Sequence, residues 1–410
     1  MRFLGSIVAS SLFFVVSVSG APHELLSKRQ ASDTEQAAIV QLAKTNPVAA
    51  AKKILHIKNV DHYKPSWAKY NNISGNADAE QVPWAPSGVE FQTSPDVSLV
   101  GGDSFSDVPS SFYMFKTNYV SVKGSNGKAA TQPFYINKDL SNVKRAVLVW
   151  PGYYRDSWNY INMVGNAFNI AKKLYDIDEG SVAIAAPYVL NQNDNANGAV
   201  RSDWVYYKND NWCVAGVSHG PKHVSVSSFS AMDTLVEELA ETYPGIEKFV
   251  IVGHSLGAQA VLRYAMLTES KHADQMAFWS GNPGTYTYLT SDRPLSHDDC
   301  DDYDTFPSGL GSGIPSYSSS GKSALAKQFL SRNVRIAQGL NDNGVSSEMC
   351  DTMAQGHDRL DRSAYYVEHL SQVNGGSFPD SFSMEYVEGV SHQNYPMFAT
   401  KDSLSYIFIE

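Results

Sequence analysis

Ser255 lies in Gly253-His254-Ser255-Leu256-Gly257, and the residues on either side give that pentapeptide a chemical reading. Upstream, Lys248-Phe249-Val250-Ile251-Val252 is β-branched and aromatic and predicts a buried strand. Downstream, Ala258 to Leu267 predicts a helix packed on a sheet. A strand-to-helix turn of the form G-x-S-x-G projects its serine hydroxyl and aims the next helix N-terminus at it. A Cβ at position 253 or 257 would clash where strand and helix come close. Ser255 is therefore the candidate nucleophile. His254 points elsewhere in such a turn, so it joins Gly253 and Gly257 as support. The plainer alternative is a glycine-rich turn with an incidental serine.

Serine is a poor nucleophile at neutral pH and needs a histidine base oriented by a carboxylate. Asn333 to Gln338 predicts a strand, and Gly339-Leu340-Asn341-Asp342 ends it. Asp342 is the candidate acid, with Asp351 and Asp358 as rivals that read as helix caps or surface groups. Met384 to Glu388 predicts a further strand, followed by Gly389-Val390-Ser391-His392. His392 is the candidate base; His357 and His369 sit near the helical stretch Arg359 to Leu370 and read as residues of a helical face. An oxyanion needs two backbone N–H donors. Leu256 supplies one, and Tyr153 supplies the other from Pro151-Gly152-Tyr153-Tyr154, after the predicted strand Arg145 to Trp150. A plain Pro-Gly turn is the alternative there.

With these three motifs in the order serine, acid, histidine, the chain from about Phe115 to Phe398 resembles the α/β-hydrolase superfamily, in particular its secreted serine esterases and lipases. The resemblance implies an α/β fold with a mostly parallel central sheet flanked by helices and lid-like insertions. It implies a serine hydrolase that cleaves a small-molecule or lipid-like carboxylic ester through an acyl-enzyme, with no metal or organic cofactor. A single Pro-Gly stands where lipases carry His-Gly-Gly-Gly, so a lipase subclass does not follow. The fold does not decide the bond: the same residues could cleave a peptide or amide, and an inactive relative would only bind a ligand.

Other elements must position these residues. Ser32-Asp33-Thr34-Glu35 is a capping box before a helix over Gln36 to Lys44, and Asn46-Pro47 opens a second. Residues 30–98 form a helical extension outside the resemblance, and residues 99–410 the catalytic domain. Phe112 to Val122 and Thr131 to Ile136 predict an antiparallel pair around Gly124-Ser125-Asn126-Gly127. Ser181 to Ala186 and Met276 to Trp279 predict buried strands, and Ser230 to Thr242 an amphipathic helix. Insertions over residues 188–226 and 281–322 follow strand ends and are candidates for substrate pocket and lid. The aromatic residues of the first, Trp204, Tyr206, Tyr207 and Trp212, line a pocket or pack the loop itself. Ser308 to Ser323 is Gly/Ser-rich and reads as a flexible loop.

Residues 1–21 read as a secretory signal, with Arg2, an apolar Leu4 to Val18 and small residues at Ser19-Gly20-Ala21. Residues 22–29 read as a short propeptide ending at Lys28-Arg29. The expected location is extracellular. The net charge is −10; removing residues 1–29 takes away three cations and one anion and leaves −12. Such an acidic chain is not built to hold phosphate backbones, and no apolar run is long enough to insert stably in a membrane. Oligomeric state is not readable. An oxidising compartment favours one disulfide among Cys213, Cys300 and Cys350, and the preferred pair, Cys300 with Cys350, falls between two late strands. Asn72-Ile73-Ser74 is a glycosylation sequon. The acidic run Asp298 to Asp304 lacks the spacing of an EF-hand loop and reads as solvated.

Overall fold

The computed structural model describes residues 29–30, 33–58, 81–97, 99–100, 104–345 and 347–410. The expected signal sequence, the propeptide through Lys28, and Asn72 lie outside the described residues.

Nine strands make one sheet: β1 Ser111–Phe112, β2 Phe115–Lys123, β3 Ala129–Asn137, β4 Arg145–Trp150, β5 Val182–Pro187, β6 Lys248–His254, β7 Met276–Gly281, β8 Asn333–Gly339 and β9 Phe382–Val387. Their spatial order is β9-β8-β7-β6-β4-β5-β3-β2-β1. The run from β9 to β5 is parallel. The β3, β2 and β1 strands continue it antiparallel. After β4 the chain moves outward to β5 and then returns to β6 on the other side of β4. That reversal opens a crevice at the carboxyl ends of β4 and β6, where ligands bind in open sheets. The chain has the α/β-hydrolase fold.

The central strands are apolar throughout because both faces are covered. On β4, Ala146, Leu148 and Trp150 enter one layer, and Val147 and Val149 the other. On β6, Phe249 and Ile251 alternate with Val250 and Val252 in the same way. The first layer holds helices α1 Asp33–Thr45, α2 Pro47–Leu55, α4 Ser228–Thr242, α5 Leu256–Leu267, α6 Lys322–Leu330 and α7 Arg359–Val373. The second holds α3 Ser157–Tyr175 and the final pair, α8 Asn394–Phe398 and α9 Lys401–Phe408.

Three local expectations change. The strand expected over Phe112 to Val122 is broken at Tyr113, whose φ of 42° turns β1 back on β2. The insertion after β5 is not structureless: it contains a helical turn at Gln192–Ala196 and a 3-10 turn at Asn211–Val214. Its Trp204, Tyr207 and Trp212 are buried, so packing holds them. The Ser308 to Ser323 stretch is irregular as far as Gly321, where α6 follows, but it is tied down: Ser308 O accepts from Arg293 Nη2 at 3.0 Å, and Tyr317 donates to Asp233 at 2.6 Å.

The N-terminal helices belong to the same core. Asn46 caps α2 by accepting from Ala49 N at 2.9 Å, and Pro47 occupies the position where a missing N–H costs nothing. Ile39, Ala43, Ala50, Ala51 and Ile54 bury against the first layer. Truncating Ile54 to alanine should therefore cost about 2–5 kcal/mol, as in any well-packed core. Urea unfolding followed by circular dichroism measures it. An unchanged midpoint would show that α2 unfolds separately from the sheet.

Candidate active site

β6 ends at His254 and α5 begins at Leu256, leaving Ser255 alone in the turn. Its φ of 60° and ψ of −122° are strained for a residue with a side chain. The strain persists because strand and helix are wedged together. A Cβ on Gly253 would come within 2.5 Å of the Gly257 carbonyl carbon, and one on Gly257 within 2.8 Å of Trp150 O. Both glycines are therefore spatial requirements. Ser255 N donates to Gly281 O at 2.9 Å, which moors the turn to the end of β7.

The fold brings Ser255, His392 and Asp342 together. The Ser255 hydroxyl lies 2.8 Å from His392 Nε2, and His392 Nδ1 lies 2.8 Å from Asp342 Oδ2. A carboxylate at Nδ1 fixes the proton there, so Nε2 is left to accept from the serine. Asp342 is 1% exposed and His392 4%. Arg359 Nη1 donates to Asp342 Oδ1 at 3.1 Å, and Gln338 Nε2 lies 3.4 Å from Oδ2. Burial pushes the Asp342 carboxyl up, but His392 and Arg359 pull it further down, so it titrates below the ordinary value of 3.8.

His254 plays a different part from His392. Its Nδ1 faces Tyr160 Oη at 3.3 Å, and Asn282 Nδ2 faces its Nε2 at 3.4 Å. Burial, then the nearby His392 and Arg359, hold its pKa well below 6.5, so it is a neutral spacer. Its ring centroid is 4.8 Å from that of His392, close enough to back the ring by packing. Asn282 carries no sequence signal, yet it joins three strand ends. Its N donates to Ala337 O at 2.8 Å, its Oδ1 accepts from Gly339 N at 2.7 Å, and its Nδ2 donates to Ser391 O at 2.8 Å. The helical extension also reaches the site. Gln36 of α1 is 2% exposed. It donates to Asn341 Oδ1 at 3.4 Å and accepts from Gly389 N at 3.2 Å. It thus touches the loops that carry Asp342 and His392.

The rival residues are occupied elsewhere. Asp358 caps α7 by accepting from Asp361 N at 2.8 Å. Asp351 accepts from Ser308 Oγ at 2.6 Å and does not reach His392. His357 is exposed, and His369 accepts from Leu289 N at 3.0 Å with its pKa lowered by burial to about 4. Cys300 and Cys350 form a disulfide, which leaves Cys213 as a buried thiol. Among the described residues, no group of His, Cys, Asp and Glu is arranged to hold a metal ion.

A cavity of about 700 Å³ opens above Ser255. Leu256 and Tyr153 line it beside Ser255 and His392. Trp150 pairs with Gly253 across the sheet, so the Pro151-Gly152-Tyr153 loop leaves β4 beside the serine turn. The Leu256 N–H is in the first turn of α5, where amides lack helical partners and point at a ligand. The first insertion contributes Asn209, Asp210 and Asn211 to the wall, and the second contributes Thr285 and Ser308. A segment not anticipated from the sequence, 347–352, adds Ser347, Met349, Asp351 and Thr352. The wall mixes polar side chains with apolar surface from Tyr153, Val214, Leu256 and Met349, and the insertion's buried Trp204 and Trp212 take no part in it.

No protein-family model and no curated protein sequence matches the chain. Among solved structures, the chain is similar to poly(aspartic acid) hydrolase-1 from Sphingomonas sp. KT-1, with TM-score 0.48 and 17% identity over 71% of this chain and 98% of that one. It is similar to LpqC, a poly(3-hydroxybutyrate) depolymerase from Bordetella parapertussis, with TM-score 0.47 and 20% identity over 71% and 90%. A Pyrococcus furiosus esterase gives TM-score 0.39 and 11% identity over 73% and 95%.

The Asp342 environment sets a stability signature. A folded pKa below the unfolded one means that the unfolded chain binds the proton first as pH falls. The stability contributed by Asp342 is then complete above the ordinary carboxyl range and is lost as pH drops through the lower folded value. Asn at this position is neutral at every pH. The gap in urea midpoint between the native protein and Asp342→Asn should narrow below about pH 4. A gap constant from neutral pH to about pH 2 would contradict the charge environment described.

Proposed function

We propose that the protein is a serine hydrolase that cleaves a carboxylic ester. The observation that carries this reading is the unbroken chain of hydrogen bonds from Ser255 through His392 to Asp342 at the floor of the cavity. In the proposed cycle His392 Nε2 takes the Ser255 proton as Oγ attacks the ester carbonyl carbon. The carbonyl oxygen becomes an oxyanion held by the Leu256 and Tyr153 backbone amides. Asp342 keeps the Nδ1 proton in place and balances the charge on the imidazolium. His392 then gives its proton to the departing alcohol, which leaves an acyl-serine. Water, deprotonated by the same nitrogen, releases the acid.

The cavity surface mixes apolar area with Asn, Asp and Arg groups, which supports an ester that carries a polar group beside its acyl carbons. Cleavage of a peptide or amide by the same residues is the competing outcome. The leader-like first 21 residues and the Lys28-Arg29 pair support release from the cell and processing to Gln30, which N-terminal sequencing of the culture-medium protein checks.

Ser255→Ala should abolish ester turnover and labelling by a fluorophosphonate probe, with a loss on the order of 10⁶ in kcat. Near-normal turnover by that variant would end the reading. Asp342→Asn presents the wrong tautomer and should cost about 10⁴, while Asp351→Asn should cost far less. The opposite ranking would move the acid. His392 accepts a proton only while neutral, so kcat/KM should fall with a single-proton slope on the acid limb of its pH profile. A flat limb down to about pH 4, with circular dichroism showing a folded protein, would remove His392 as the base.

A further inference from the structure

One wall of the cavity is a face of α5. Ser255, Gln259 and Arg263 all line it at intervals of four residues, so they stack along the helix at about 6 Å per step. Arg263 is 4% exposed. Its Nη2 donates to Gln259 Oε1 at 2.9 Å, and its Nη1 donates to Cys213 O at 3.3 Å and lies 3.4 Å from Cys213 Sγ. These partners are neutral. Burial pushes the Cys213 thiol up to about 11, so it carries no charge to offset the arginine.

Three other arginines face carboxylates, while the buried Arg362 donates to the Gly284 and Gly356 carbonyls. Arg155 faces Asp194 at 3.4 Å, Arg293 faces Asp304 at 3.4 Å, and Arg359 faces Asp342 at 3.1 Å. No such ion pair involves Arg263 among the described residues. Asp351 shares its cavity and acts on Arg263 through space, without a hydrogen bond to it. The Asp351 oxygens are engaged by Ser308 Oγ at 2.6 Å and Thr352 N at 2.8 Å. A guanidinium keeps its proton even when buried, and a buried charge without a counter-ion is costly. A planar fork of donors in a ligand cavity is matched by a carboxylate.

We propose that Arg263 is a specificity-determining residue that receives a carboxylate on the acyl part of the substrate. This rests on the hydrolase reading, since it takes Ser255 as the point of attack. Helical side chains tilt toward the N-terminus, and the bond to Gln259 shows the guanidinium reaching back that way. The carboxylate then sits about one to two turns, roughly 5–11 Å, from the reacting carbonyl. The preferred substrate is an ester of a dicarboxylic acid with its second acid group free. Gln259, between the two, positions the guanidinium.

The test compares matched methyl esters of dicarboxylic acids from succinate to suberate, with the far end either a free carboxylate or its carboxamide. The native protein should show kcat/KM at least tenfold higher for the carboxylate at the best chain length. In Arg263→Gln the ratio should fall to near one, whatever the absolute rates become. Calorimetry on Ser255→Ala, which holds the esters uncleaved, should show the same preference in affinity. Equal binding of acid and carboxamide there would overturn the anion site while leaving the hydrolase reading intact. Preference for the carboxamide, or a ratio that survives in Arg263→Gln, would make Arg263 a structural pin for the Asn211–Val214 turn. Acid-selective binding to Ser255→Ala with no ester turnover by the native protein would keep the anion site and defeat the hydrolase reading instead.

Discussion

The structure depends on one forced approach, the wedge where β6 turns into α5. The turn is tight enough to hold Ser255 at positive φ and to exclude a Cβ from the positions two residues before and two after it. That geometry is unfavourable alone and must be held by its surroundings. Both faces of β6 are buried, α5 is packed into the first layer, and Ser255 N is bonded to the end of β7. Asn282, the next residue along, then fixes the end of β8 and the loop before His392. Strain at Ser255 and alignment of its hydrogen-bond partners share one set of fastenings.

Charge is arranged with similar economy. The site buries an imidazole against a carboxylate and then satisfies the carboxylate from the other side with Arg359. The second imidazole, His254, is kept neutral directly behind the first. A cation there would repel the charge that His392 must gain in the proposed cycle. The pair shows why two histidines only 4.8 Å apart can hold unlike roles: one has a carboxylate partner, the other only a phenol and an amide.

The sheet and the serine turn were legible because their signals are local. Lys248 to Val252 is apolar on both alternations, as a strand covered on both faces must be, and the flanking glycines mark the close approach. Asp342 and His392 were legible from their places after strands. Arg359, Gln338, Asn282 and Gln36 were not, because each is an ordinary polar residue whose meaning comes from a neighbour far along the chain. For the aromatic residues of the first insertion the sequence left pocket lining and loop packing both open, and Trp204 and Trp212 are buried in packing. The break at Tyr113 was invisible because nothing in its side chain announces a positive φ.

The Gln36 contacts have a consequence for how the molecule comes into being. They join residues separated by 305 and 353 positions. A ribosome makes α1 long before the His392 loop, and long-range closures are slow. The helix that touches the Asp342 and His392 loops must wait, folded or not, until the chain 353 positions further on has been synthesised. A nascent chain halted before β9 already contains the serine turn but has neither His392 nor the loop that Gln36 holds. The three residues of the hydrogen-bonded chain are thus brought together only once the His392 loop has been made, and a product truncated before it carries Ser255 alone with Asp342.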